Sequence, residues 1–455
     1  MRPILIVTPF FAPESHAAVF RAYKLAKFLP AHGYRPFVVT VDTNYDYRED
    51  ASLLTALPKE VTIVRAAYVE PTLRGLEYAL GLGDRRLIAT SVDQGKKVEP
   101  AQSRTGGAWG KAARNLLLRG VLRIPDRHWP WFWPALAACR KIVRESGVKL
   151  VLTSSDPFTS YLIGMALKRD GLCWVADLRD PATHCVTMHS EYPWVYAVQR
   201  EIERRGIAAA DAVTVAAKSI QLVLGELHGL DIAAKTHFIP TGLDSSLLLE
   251  RNGPSMLPAG KHIIFSGEYL PYYGPRFFRL FAAALDDPRV RPLGYRIAIV
   301  GRADINRRHL DPVLREHKLG GLVDFLDHQP QEALYALIQR SEFGLLPYGD
   351  RLWWCLAAKL VDYLALRVPV LALLPDPSEA RSRLSEAGLG VFLDGEDDAA
   401  TRRLVDALIA GRAAMPGDAV VCRRYTSEHQ VQEFADLFDR LLAGRQEREG
   451  FEAHG

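Results

Sequence analysis

A chain of 455 residues is too long for one ordinary hydrophobic core and suits two domains of about 200 residues each. An apolar share of 48% with 24% charged residues is that of a globular protein, which excludes a disordered chain and a fibrous repeat. The net charge of +4 is small but localised, because residues 81–130 hold ten Lys/Arg against four Asp/Glu and leave the remainder slightly acidic. So confined a patch gives no reason to expect a nucleic-acid partner.

In chain order, "MRPILIVTPFF" reads as a first buried strand and not as a secretory leader, since no cleavage site follows it. "FVVTVD", "TIVRAAY", "KLVLTSS", "CWVADLRD" and "AVTVAA" continue the series through the first half, and "HIIFSG", "RIAIVG", "VDFLD", "FGLLPY" and "VPVLALL" repeat it in the second. Continuous Val/Ile/Leu strands alternating with amphipathic helices predict a doubly wound parallel sheet in each half. Pro, Gly and Ser cluster over residues 238–261 and mark the seam. The expected division is therefore an N-terminal Rossmann-like domain over 1–240, a second over 241–426, and a final amphipathic helix over 427–445, with a frayed tail after 442.

Residues 71–130 break this rhythm and read as an insertion, either a solvated loop or an acceptor-binding or membrane-surface element. Arg119 and Arg123 on Leu-rich turns would suit an interfacial amphipathic helix in the second reading. "DRHWPWFWP" follows at 126–134, as a core plug or as a stacking surface. The five cysteines, at 139, 173, 185, 355 and 422, form no close pair and fit a reduced, cytoplasmic compartment. No apolar window is long enough to span a membrane.

Ligands of open α/β sheets bind beyond the carboxyl ends of the strands, so strand-end residues are the candidates. After the first strand, His16 and Arg21 stand at the mouth of a helix starting near Ala17; the alternative for Arg21 is a simple ion pair with a neighbouring carboxylate. Asp156 follows another strand and is expected to cap the next helix, with Pro157 at its first position. "CWVADLRDP" ends in Asp177, Arg179 and Asp180, where an internal pair between the first two leaves Asp180 free. In the second half Gly267, Arg276 and Arg302 follow strands, and "LAAKLVDYLA" carries Lys359 and Asp362 on the first turns of a helix starting near Leu356. A lysine at a helix N-terminus suits a phosphate, and a carboxylate one turn on suits ribose hydroxyls. A surface ion pair between the two is the alternative.

The segments "PFFAPESHAAVFRAYKLAKFL", "SSDPFTSYLIGMALKRDGLCWVADLRDP", "IPTGLD" and "AAKLVDYLALRVPVLA" together resemble the retaining family 4 glycosyltransferases of the GT-B type, in the branch that builds bacterial surface polysaccharides. The resemblance touches nearly the whole chain except residues 44–125. It implies two Rossmann-like domains facing across a cleft. It also implies a nucleotide diphosphate sugar on the second domain, an acceptor on the first, no metal or other cofactor, and a last helix that crosses back to the first domain. Lys359, Asp362, Arg302, Arg276, Gly267 and Trp354 would then meet the donor, with Arg351 as a further cation; His16, Arg21 and Asp156 would meet the acceptor. Asp180 takes the place of an acceptor-side histidine and would orient the acceptor or the sugar.

Three departures accompany the resemblance. Many relatives place a carboxylate eight positions before the one that matches Asp362, and here that position is Trp354. A glycine pair after the first strand is replaced by Ala17 and Ala18, and an Arg and Lys after the first strand of the second domain by Glu268 and Tyr273. The expected function is sugar transfer with retention, to an acceptor that is lipid-linked if residues 81–127 meet a membrane surface. A catalytically silent homologue serving as a scaffold is the main alternative, and a sugar-nucleotide epimerase the third.

Overall fold

The computed structural model describes residues 1–43, 49–72, 75, 80–81, 121–185, 188–248, 257–349 and 352–452. The chain divides into two compact units, residues 1–239 with 431–455, and residues 240–430.

The first unit is built on seven parallel strands: β1 (Arg2–Val7), β2 (Tyr34–Val41), β3 (Thr62–Ala66), β4 (Leu150–Ser155), β5 (Cys173–Leu178), β6 (Ala212–Val215) and β7 (Thr236–Phe238). Their order is β3-β2-β1-β4-β5-β6-β7, so the direction of winding reverses between β1 and β4. Helices α1 (Ala17–Phe28), α2 (Phe132–Ser146), α3 (Phe158–Arg169), α4 (Pro193–Ala209) and α5 (Lys218–His228) connect or cover them. On one face, Ile4 and Ile6 of β1 pack with Val19, Ala22 and Leu25 of α1 and with Val431, Phe434 and Phe438 of the chain's last helix. That helix, Ser427–Glu452, continues well past residue 442 where fraying is expected. Arg445 Nη1 donates to the Gly171 carbonyl at 2.5 Å, a tertiary anchor that a tail read by composition does not reveal.

The second unit holds six parallel strands: β8 (Lys261–Ser266), β9 (Tyr295–Val300), β10 (Val323–Leu326), β11 (Phe343–Pro347), β12 (Val370–Leu373) and β13 (Gly390–Phe392). The order is β10-β9-β8-β11-β12-β13, with the reversal between β8 and β11. Alternation explains why its strands read as unbroken apolar runs. Ile263 and Phe265 enter the core on one face while Ile264 enters the core on the other.

Helices α6 (Arg276–Ala284), α7 (Ala303–Glu316), α8 (Gln331–Arg340), α9 (Ala358–Ala365), α10 (Glu379–Ala387) and α11 (Asp397–Ala410) complete the unit. One contact positions α9. A side chain at Gly344 of β11 would meet the Tyr363 ring at 2.6 Å, so its absence lets that ring lie on the strand, and Tyr363 Oη donates to the Ile264 carbonyl at 2.9 Å. The helix is thereby pinned over β8 and β11, beside the reversal point.

Candidate active site

Reversal points of parallel sheets leave a crevice beyond the strand ends, because the connections leave in opposite directions there. In the second unit β8 exits through Gly267, whose φ of +111° is a backbone conformation that side-chain-bearing residues rarely adopt. The bend is held from behind. Asn306 of α7, fully buried, donates Nδ2 to the Gly267 carbonyl at 3.1 Å and accepts from the Tyr269 backbone N–H at 2.7 Å. A side chain at Gly301, at the end of β9, would strike that carbonyl at 2.4 Å.

Lys359, the second residue of α9, faces the same bend, so that a Cβ on Gly267 would lie 3.4 Å from its Nζ. The amine rests 3.6 Å from the centroid of Phe265 and 5.8 Å from that of Tyr273, which stacks on Tyr348. It makes no ion pair or hydrogen bond with a described residue. Burial lowers its pKa to about 7, and the Cys355 thiol nearby opposes this only in part. The expected alternative of an ion pair with Asp362 is therefore not realised, although Asp362 stands one turn further along the helix. Arg302, which precedes α7, makes long contacts of 3.9 Å to Glu268 and 3.7 Å to Asp304.

The corresponding point of the first unit is chemically opposite. Asp156, between β4 and α3, has its pKa raised to about 7, chiefly by burial, with Asp180, Glu203 and Asp126 adding to the rise and Arg179 opposing it. Burial also raises the pKa of Asp180, again against Arg179. Arg179 donates to the carbonyls of Ser155 and Asp156 at 3.3 and 3.2 Å, and its guanidinium lies 5.8 Å from the Phe10 ring. Phe10 also takes the rings of His16 and His128 edge-on, each at 5.3 Å. His128 is buried and stacked on Tyr68, and burial lowers its pKa well below the usual range. Around Asp156, the buried Ser154 Oγ, Ser160 Oγ and Asp156 Oδ1 have no hydrogen-bond partner. Such groups are costly unless a ligand or water satisfies them.

Residues 85–247 match the family model described as Glycosyltransferase Family 4. The chain has the GT-B fold, and its middle part carries a glycosyltransferase family 4 segment. Its fold is similar to that of sucrose-phosphate synthase from Thermosynechococcus elongatus, at 14% identity and a TM-score of 0.60 over 98% of this chain and 100% of that one. It is similar as well to Anabaena HepE in complex with UDP and glucose, at 13% identity and a TM-score of 0.55 over 97% and 100%. A third similar structure is the trehalose-6-phosphate protein from E. coli bound with UDP-2-fluoro glucose, at 16% and 0.56 over 96% and 98%. No curated protein matches the sequence significantly.

In the second unit the structure brings together Gly267, Lys359 and, through Glu268, Arg302. It also gathers His16, Asp156 and Asp180 around Phe10 and Arg179. Other expectations need correction. Arg21 is 1% exposed, and its guanidinium grips Asp177 through Nε at 2.8 Å and Nη2 at 2.7 Å while Nη1 donates to the Ile239 carbonyl at 2.8 Å. Arg21 is thus committed within the core, and Asp177 pairs with it rather than with Arg179. Asp156 does not cap α3: Pro157 occupies the cap position, and Asp126 instead accepts from the Thr159 backbone N–H at 2.7 Å.

Arg276 is drawn to Asp397 at 3.1 Å and to the Gly395 carbonyl, which commits it to the start of α11. Trp354 is 5% exposed, which leaves little ring face for a sugar. Arg351, Arg119 and most of the 71–130 insertion lie outside the described residues.

Sequence reasoning missed Asp126, His128, Phe10, Tyr68 and Asn306. His128 and Asp126 sit in the quoted "DRHWPWFWP", whose aromatics drew attention away from its two titratable groups. No local signal marks Asn306, which is an unremarkable polar residue in a helical pattern.

Proposed function

We propose that this chain is a glycosyltransferase that moves a hexose-type sugar from a nucleotide diphosphate donor on its second unit to an acceptor on its first, with retention at the anomeric carbon. The observation that carries the proposal is Lys359, a cation with no described counter-charge beside the Gly267 bend at the reversal point of the second sheet. A leaving diphosphate supplies that missing charge, and Arg302 is held loosely enough to turn to it. Asp362 receives the ribose hydroxyls. HepE, which shares the fold, was obtained with UDP and glucose, and this makes UDP the first nucleotide to try.

On the first unit, Asp180 and Asp156 accept hydrogen bonds from an acceptor hydroxyl, and His16 borders the same pocket of groups. In the transfer the bond from the anomeric carbon to the diphosphate oxygen breaks, the bond to the acceptor oxygen forms, and the hydroxyl proton leaves with a base or the departing phosphate. The charges of Lys359 and Arg302 take the part a metal plays elsewhere. A polysaccharide or glycoconjugate product fits this assignment.

The acceptor is lipid-linked in this reading. At the end of the basic segment 81–127 and just after it in sequence, the described residues Val121, Trp129 and Trp133 expose large apolar side chains, Trp133 to 68%. Indole rings beside basic groups suit the interface of an anionic membrane. Among the described residues no helix is long and apolar enough to cross a membrane, so the proposed association is peripheral, on the cytoplasmic face.

The test is release of nucleoside diphosphate from UDP-, GDP-, ADP- and TDP-sugars, with and without cell-derived acceptors. Acceptor-stimulated release supports transfer. Absence of turnover across the panel together with tight binding of a protein partner would establish the scaffold reading, which the buried Trp354 and the acidic Glu268 favour.

A further inference from the structure

Two buried polar side chains of α4, Gln199 and Glu203, take no part in the chemistry above, and burying such groups is costly unless their hydrogen bonds are made. They stand one helical turn apart and so share a face. Gln199 donates Nε2 to the Pro125 carbonyl at 2.6 Å and accepts from the Ser190 backbone N–H at 2.8 Å. Glu203 accepts with one oxygen, Oε2, from the Thr183 hydroxyl and from His228 Nε2, the latter at 2.9 Å. His228, also buried, is the last residue of α5 and fastens Glu203 to a second helix.

Each grip falls beside a carboxylate of the first unit's candidate site. Pro125 precedes Asp126, whose carboxylate accepts from the backbone N–H and the hydroxyl of Thr159 at 2.7 and 2.9 Å, three residues after Asp156. Thr183 lies in the turn that follows Asp180, closed by the His184 and Cys185 backbone N–H groups on the Pro181 carbonyl at 2.9 and 3.0 Å. Ser190 lies near the end of the same connection, shortly before α4. Asp126, Asp156 and Asp180 all sit in connections, so no strand or helix of their own fixes their spacing.

We propose that Gln199 and Glu203 are positioning residues for the acceptor. From one face of α4, Gln199 holds the segment of Asp126, and through Thr159 the start of α3 beside Asp156, while Glu203 holds the turn of Asp180. The inference rests on the acceptor reading above. A carboxylate receives a hydroxyl only within about 2.5–3.0 Å. A misplacement of about 1 Å in a positioned group costs about 100-fold in rate, so residues that touch neither substrate still govern transfer through these connections.

The experiment follows release of nucleoside diphosphate by the full chain from UDP-, GDP-, ADP- and TDP-sugars as cell-derived acceptor is varied, beside calorimetric affinity for the diphosphate released. Gln199→Leu and Glu203→Leu remove the ties at similar volume. Thr183→Val is milder, since it deletes one hydroxyl and leaves Glu203 bonded to His228, and it keeps the test decisive where a buried leucine prevents folding. Each variant should lower kcat/KM for the acceptor by at least about tenfold, with donor KM and diphosphate affinity within about twofold of wild type. Glu203→Gln offers an amide oxygen in place of Oε2 and should recover at least about fivefold of what Glu203→Leu loses, because both bonds end on one oxygen.

Acceptor rate and diphosphate affinity falling in the same proportion would mark a purely structural role and overturn the proposal. Unchanged acceptor kinetics in Thr183→Val and Gln199→Leu, or a Glu203→Gln no better than Glu203→Leu, would overturn it as well while leaving the acceptor site intact. Wild-type protein that no acceptor stimulates overturns the acceptor reading and this proposal with it.

Discussion

The two reversal points, one in each sheet, share a topology and differ in charge. Beyond β4 and β5 carboxylates outnumber cations, with Asp126, Asp156, Asp180 and Glu203 affecting one another around Arg179. Beyond β8 and β11 a cation stands without a described counter-charge. Parallel strands bring backbone ends and helix starts to both places, but side chains decide which ligand can be held there. The first suits hydroxyls, which need hydrogen-bond acceptors, and the second suits a diphosphate, which needs positive charge. The same contrast separates structural from available arginines: Arg21 and Arg276 have carboxylate partners within 3.1 Å, whereas the shortest carboxylate contact of Arg302 among the described residues is 3.7 Å.

The largest effect should come from the committed pair that underlies the first site. Arg21→Ala leaves Asp177 buried with only the Thr214 hydroxyl and neighbouring groups to hold its charge. Breaking such a pair costs about 3–5 kcal/mol. Denaturant unfolding should show this loss; a change below about 1 kcal/mol would return Arg21 to the list of ligand-binding candidates.

Lys359→Ala should act on binding rather than on folding. Loss of one charge-assisted contact is expected to weaken a nucleoside diphosphate by about 1.5–3 kcal/mol. Calorimetry that finds equal affinities in variant and wild type would erase the contrast between the two sites. Folding stability gives a separate check on the sign. With a folded pKa of about 7 below the usual lysine value, this group makes the wild type more stable as pH rises from about 7 towards about 10. Lys359→Met should flatten that part of the profile.

Asp156 should show the opposite trend. Its folded pKa of about 7 lies above that of an unfolded aspartate, so its contribution is fully present below about pH 4 and is lost as pH rises through about 7. Asp156→Asn should therefore unfold at a higher temperature than wild type at pH 8 and lose that advantage at pH 4. A constant offset between the two melting curves at all pH values would remove the crowded-carboxylate account.

The smallest effect concerns the surface. Trp129→Ala with Trp133→Ala should reduce co-sedimentation with anionic vesicles at low salt and leave UDP binding unchanged, since the two rings lie on the first unit. Added salt should weaken what binding remains, because surface charges are screened within about 8 Å at physiological ionic strength. Wild-type protein that stays in the supernatant at low salt would assign these rings to a soluble acceptor or partner.

Eleven of the thirteen strands among the described residues are legible as apolar runs, and the reason is burial on both faces. The two that escape, Thr236–Phe238 and Gly390–Phe392, are three-residue edge strands that are only partly buried, so no continuous apolar run announces them. Candidate site residues were legible as far as strand-end position could carry them. Gly267, Lys359 and Arg302 follow strand ends in the sequence and stand near the same bend in the structure. Arg276 also follows a strand end, yet its partner Asp397 lies 121 residues further along the chain.

The amino-acid sequence by itself determined what is local: the alternation of buried strands with helices, the seam near residue 240, and the placement of charged residues just after strands. Only the tertiary structure decided which charges are spent. Arg21 meets Asp177 across 156 residues because α1 lies against the sheet that carries β5, while α9, pinned through Tyr363 to β8 and β11, sets Lys359 on Phe265. Pairing of charges depends on sheet order and helix placement, and those are fixed by long-range packing that no short stretch of sequence encodes.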